Sequence, residues 1–192
     1  PQLTTKIRGG YNGGYQIKEK KIGIPRIVHI GTRGGYKNFL FLLNALKDCH
    51  PKTLKKYEFL ILGGGLLSVQ EEKKLKELEA LFKKVNVLPY FEESDLDQNL
   101  CKSTIYVSAS KYEGFGIPVL EAFSRGAQVL LSDINVYREL YSKMADFFDL
   151  KDVKSLTSLL MDYMQSNSNS KFVKKSEFVN ELTWNRTSEK MA

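Results

Sequence analysis

Short apolar runs alternate with amphipathic segments along this chain, and that alternation restricts its fold more than any other property. Segment 57–62 is, apart from Glu58, an unbroken apolar stretch, and Gly63-Gly64-Gly65 ends it abruptly. A strand of that kind needs cover on both faces, as in a parallel sheet. Further strand-like runs lie at 26–30, 86–88, 104–108, 127–131 and 145–148. Between them, helical spacing predicts helices at 36–48, 70–84, 94–102 (with Ser94 as cap), from Pro118 onward, 136–141 and 152–165. Strand–helix units of ~20–30 residues predict an α/β fold, a Rossmann-like doubly wound parallel sheet. Ligands of such sheets bind beyond the carboxyl ends of the strands.

The 192 residues suffice for one domain with a substantial core. No apolar run approaches the ~20 residues of a membrane helix, and no secretory signal opens the chain. It begins with proline, which reads as a fragment of a longer protein. The formal charge of +7 is uneven: residues 1–26 hold six basic side chains and one acidic one. Residues 1–25 are therefore read as a basic lead-in. It serves either as a solvated linker or as a contact for an anionic membrane surface or a partner domain. A basic tail with glycine pairs does not make a nucleic-acid protein, and none is expected as partner. Residues 26–165 form the ligand-binding domain. The polar stretch from Ser166 to Ser170 then separates it from closing helices over 171–192 that contain Trp184. Cys49 and Cys101 lack metal-ligand spacing and read as free buried thiols, which fits a reducing cytoplasm.

Two motifs follow strands. In the first, Glu113-Gly114-Phe115-Gly116-Ile117-Pro118-Val119-Leu120-Glu121, two carboxylates flank a glycine loop and a helix start. Glycine admits close approach of backbone N–H groups, proline suits the first helical position, and the helix start offers free donors to a phosphate. Carboxylates accept paired hydrogen bonds from vicinal hydroxyls. The second is Gly31-Thr32-Arg33-Gly34-Gly35-Tyr36-Lys37-Asn38, a glycine turn that opens a helix and carries two cations four residues apart. Such a turn can set Arg33 and Lys37 over a diphosphate; the alternative is a basic helix start facing water, which the helix dipole disfavours. It is neither a Walker loop nor a dinucleotide fingerprint, which weakens ATPase and dehydrogenase readings.

The stretch 113–121 resembles the signature of retaining GT-B glycosyltransferases, the group 1 or family 4 type. The match covers Glu113, Gly114, Phe115, Gly116, Pro118, Val119 and Glu121, with Ser108-Ala109-Ser110 before them and Ala122 and Gly126 after. The resemblance runs from about residue 27 to 184, the donor-binding half of a GT-B fold. It implies transfer of a sugar from a nucleotide diphosphate sugar, UDP- or GDP-linked, to an acceptor hydroxyl with retention, in cell-surface polysaccharide or lipopolysaccharide synthesis. The alternative is a non-catalytic sugar-nucleotide-binding module or the partner subunit of an active enzyme.

The resemblance assigns Glu113, Arg33 and Lys37 to catalysis, although Arg33 lies one residue later than the commonest family position. It assigns Gly31, Gly63, Tyr90, Gly114, Phe115, Gly116, Ile117 and Glu121 to the donor, with Glu121 on the ribose hydroxyls. Gly63-Gly64-Gly65 serves equally as plain turn chemistry or as the floor of a nucleotide site, and Tyr90 equally as packing or as a base-stacking ring. Ser108, Ser110 and Lys111 line the approach. No metal or other cofactor is expected: Asp95-Leu96-Asp97 has the spacing of a metal motif but falls on a predicted helix. An N-terminal acceptor domain, absent from these residues, is the implied partner, so the chain alone should turn over poorly. The expected location is the cytoplasm, at or near the inner face of the membrane. His29 reads as a core or edge residue and His50 as surface.

Overall fold

A computed structural model describes residues 25–100 and 105–165. The lead-in, Cys101 and the closing segment fall outside them. Six strands, β1 (Arg26–Ile30), β2 (Glu58–Leu62), β3 (Lys84–Leu88), β4 (Ile105–Ser108), β5 (Gln128–Ser132) and β6 (Asp146–Phe148), make one sheet in the order β3-β2-β1-β4-β5-β6. Every pairing is parallel. The expected α/β doubly wound sheet is therefore the observed one.

Alternation along the strands divides the core. Ile27, Phe59, Ile61, Ile105, Val107 and Leu130 point to one face. There they meet α1 (Phe39–Lys47), α3 (Val69–Glu79) and α7 (Val153–Gln165) through Leu42, Leu46, Leu75, Leu78, Leu156 and Leu160. Val28, Ile30, Leu60, Leu62, Tyr106, Val129 and Leu131 point the other way. They pack on α4 (Glu93–Leu100), α5 (Ile117–Ser124) and α6 (Asn135–Tyr141) through Leu96, Leu100, Phe123, Tyr137 and Tyr141. Both faces of β2 are thus covered, as its apolar run requires. At about 25 cal/mol per Å² of apolar surface removed from water, these two layers dominate the stabilisation.

Several boundaries differ from the sequence reading. The helix expected over 36–48 is broken: a 3-10 turn, Gly35–Lys37, precedes α1, and Asn38 between them is left-handed at φ 53°. Asparagine tolerates that conformation better than other residues with a side chain. The helix expected to reach residue 84 stops at Glu79, because the chain turns to bury Phe82 and feed β3. Its start is a capping box between Ser68 and Glu71. Ser94 is the second residue of α4 and not its cap. Instead, the Asp95 carboxylate accepts from the Glu92 N–H at 2.9 Å. Pro118 occupies the second helical position, one later than expected, because the helix starts at Ile117 after Gly116. A short helix α2 (Pro51–Leu54) was not anticipated; His50 caps it, with Nδ1 accepting from the Lys52 N–H at 3.2 Å.

Candidate functional site

The strand order turns back between β1 and β4: the chain winds outward to β3 on one side and to β6 on the other. The loops leaving β1 and β4 therefore lie next to one another beyond the carboxyl edge of the sheet, the usual ligand position in doubly wound folds. Both sequence motifs lie on those two loops.

Three contacts join them. Lys37 Nζ meets Glu113 Oε1 at 2.6 Å, with both side chains largely buried. The Lys111 N–H donates to the Tyr36 carbonyl at 2.7 Å. The rings of Tyr36 and Tyr112 stack at 4.5 Å, with the Lys37 ammonium 5.2 Å from the Tyr36 centroid. The structure thus brings together Lys37 and Glu113, which lie 76 residues apart.

Beneath Glu113 lies a hydroxyl network. Ser110 Oγ donates to Glu113 Oε1 at 2.7 Å, Ser108 Oγ lies 3.2 Å from Ser110 Oγ, and Tyr137 Oη lies 2.9 Å from Ser108 Oγ. Ser132 Oγ ties the Ser110 carbonyl from β5 at 2.5 Å. Ser108 and Ser110 are buried and hold the carboxylate, so they do more than line an approach. Burial, foremost, pushes the Tyr106 phenol well above its ordinary range, with Tyr137, Glu113 and Glu121 adding to it. The charges of both motif carboxylates are thus felt by one side chain of β4. Glu121 lies on α5 and is half-buried.

The glycine loop is set by α6. Tyr141 Oη donates to the Phe115 carbonyl at 2.7 Å, and the two rings meet edge to face. Gly116 has φ 79°, and a Cβ there would lie 2.9 Å from a ring carbon of Tyr137. Glycine is required at 116 on both counts. The Val119 N–H donates to the Gly116 carbonyl at 2.8 Å, which starts α5. Gly114 and Ile117 are exposed and Phe115 half-buried. Tyr137, Tyr141 and Ser132 escaped the sequence reading. The visible signal was a pair of tyrosines four apart on one helix, whose hydroxyls must find partners when buried.

Arg33 is placed differently from expectation. It is 4% exposed and turned away from Lys37, with its guanidinium on Glu71 and on the carbonyls of the glycine turn after β2. Gly31 and Gly63 continue the sheet edge: the Gly31 N–H donates to the Leu62 carbonyl and the Gly63 N–H to the Leu88 carbonyl. Tyr90 is 80% exposed, and its hydroxyl lies 4.0 Å from where a Cβ on Gly65 would stand. Asp95 and Asp97 lie on α4, as expected; Asp97 pairs with Arg125 at 2.7 Å. Among the described residues, no helix is long and apolar enough to cross a membrane.

Fold and loops define a doubly wound α/β protein whose candidate site lies at the topological switch point. The chain belongs to the glycosyl transferases group 1 family, whose model matches residues 16–177. It is 26% identical over 169 residues to the serotype-specific mannosyltransferase WbdA of Escherichia coli, covering 86% of this chain and 20% of WbdA. It is 27% identical over 141 residues to the O-antigen chain mannosyltransferase B of Escherichia coli, covering 73% of this chain and 37% of that protein. The chain thus spans well under half the length of these relatives. Its fold matches the crystal structure of Anabaena HepE in complex with UDP and glucose, with a TM-score of 0.65 and 17% identity over 86% of this chain and 47% of that one.

Proposed function

We propose that this chain is the donor-binding half of a retaining glycosyltransferase that uses a nucleotide diphosphate sugar to build cell-surface polysaccharide. The observation that carries the reading is the Lys37–Glu113 pair, closed across the switch point beside the start of α5. The mannosyltransferase names of two relatives and the UDP and glucose of HepE support it.

In this reading Lys37 and the α5 start face the diphosphate, Glu121 accepts from the ribose hydroxyls, and Glu113 faces the donor sugar. Tyr90 offers its exposed ring to the base. The bond from the anomeric carbon to the phosphate oxygen breaks, and its electron pair leaves with the diphosphate. A new bond forms from the same carbon to the acceptor oxygen, on the same face of the sugar. The acceptor proton leaves with the departing phosphate oxygen. The protein's part is to orient the reactants and to stabilise the charge growing on the leaving group, with no metal assigned. The acceptor is held by a second domain, so these 192 residues bind donor but transfer slowly by themselves. Residues 1–25 serve contact with that domain or with an anionic membrane surface.

A calorimetric panel of UDP, GDP, ADP and their sugar conjugates tests this. At least one should bind, and Lys37→Ala should weaken it by about tenfold or more, as expected for a lost charge-assisted hydrogen bond. Glu121→Ala should weaken the nucleotide and spare inorganic pyrophosphate. No binding by any member, or indifference to both substitutions, overturns the reading.

A further inference from the structure

We infer that Arg33 is a positioning residue: with Glu71 it clamps the Gly63-Gly64-Gly65 turn and so fixes the floor on which the nucleoside end of the donor rests. The nucleoside part of this inference rests on the proposed donor binding; the clamp rests on geometry alone.

The guanidinium is fully engaged on one side of the turn. Nη1 donates to the Gly63 carbonyl at 2.5 Å, Nη2 donates to those of Gly65 and Leu66 at 2.9 and 2.7 Å, and Nε donates to Glu71 Oε1 at 3.2 Å. Glu71 is held in turn: its other oxygen accepts from the Ser68 N–H at 2.7 Å, and its own N–H donates to Ser68 Oγ at 3.3 Å. The capping box of α3 and the loop after β1 therefore share one carboxylate. The far side of the turn is stitched to the end of β3, with the Gly63 and Gly65 N–H groups donating to the carbonyls of Leu88 and Pro89.

Only glycine fits the middle of this clamp. A Cβ on Gly64 would lie 2.5 Å from Arg33 Nη1, and its φ is +83°. The triple glycine is thus more than a chain reversal, since it lets a guanidinium reach three carbonyls at once. The side chains of Arg33 and Glu71 are 2% and 10% exposed. Swinging Arg33 out to a diphosphate would strip Glu71 of its cation and leave three carbonyls to find other donors, a strongly unfavourable exchange in a buried setting. What the clamped turn supplies is shape: it sets the strip beside which the exposed Tyr90 ring stands.

Arg33→Lys keeps the charge and loses the fork; Glu71→Gln keeps the shape and loses the charge. The full chain carries each substitution and both together. Amide hydrogen exchange is followed without nucleotide, and calorimetry uses UDP, GDP and inorganic pyrophosphate. Each single variant should raise exchange at residues 63–66 by about tenfold or more, with β4 and α7 unchanged. Each should weaken the nucleotide by a similar factor and spare pyrophosphate, and the double variant should be no worse than the weaker single one. Unchanged exchange at 63–66 overturns the clamp. So does a loss of pyrophosphate and nucleotide together in Arg33→Lys with Glu71→Gln indifferent, which would seat Arg33 on the diphosphate itself. If no nucleotide of the earlier panel binds the unsubstituted chain, the donor reading fails, and the exchange result alone still decides the clamp.

Discussion

His29 shows how tightly the fold constrains a single side chain beneath the motif loops. It is 3% exposed and packed against Phe39, with ring centroids 4.7 Å apart. Its Nε2 lies 3.2 Å from the Thr32 carbonyl, which can only accept, so Nε2 carries the proton. Burial, foremost, pulls its pKa down from 6.5 to about 4, and the cations of Lys37 and Arg33 add to this. The unfolded chain therefore binds a proton that the folded chain refuses between those two values. Stability from this group is full above pH 6.5 and is lost as pH falls towards 4. The loss attributable to His29 between pH 8 and pH 5 should be about 2 kcal/mol. Denaturant unfolding at both pH values checks this: His29→Asn should flatten the acid side of the profile, and an unchanged slope would refute it. Gly116 is constrained by space and torsion together. Gly116→Ala should cost about 1–3 kcal/mol of stability and disturb the loop below Glu113; equal stability and nucleotide affinity in calorimetry and melting would contradict that.

At the scale of elements, α6 supports the glycine loop of the candidate site. Tyr141→Phe removes one hydroxyl and leaves the Phe115 carbonyl without that donor. It should lower stability by about 1 kcal/mol and lower nucleotide affinity, because the same loop carries both. Denaturant melts and titration read the two separately; a loss of stability with affinity intact would detach α6 from the site. The sequence made the central strands legible because β1, β2, β4 and β5 are buried on both faces and read as apolar runs. β3 was clipped by two residues, since its outer position lets it begin with an exposed Lys84 and carry Asn86. The break at Asn38 was hidden because the apolar spacing of α1 continues through it. That Lys37 and Glu113 lie on neighbouring loops was legible from the two motifs; that they pair directly was not, since the sequence reading gave each to the ligand. The destination of Arg33 was hidden as well: its partner lies 38 residues away on α3, and nothing in its own neighbourhood names Glu71.

Across the whole molecule, the sheet order places the two motif loops side by side at its reversal, where α6 buttresses one of them. A nucleotide lodged there bridges loops from opposite halves of the sheet. At a free concentration about one hundred times its dissociation constant, it should add about 2.7 kcal/mol to global stability. Hydrogen exchange should slow at residues 31–38 and 109–116 and stay unchanged around the groove of Cys49, His50 and Met161 at the C-terminal end of α1. Protection confined to that groove would move the site elsewhere.

Lys37 and Glu113 neutralise one another at 2.6 Å, which has a consequence for anion binding. Any anion that engages the ammonium competes with a carboxylate already in place, so only the difference between the two attractions appears as affinity. Under the proposed function, the same rivalry would hasten departure of the used nucleotide, because the acid stands ready to reclaim its counter-charge.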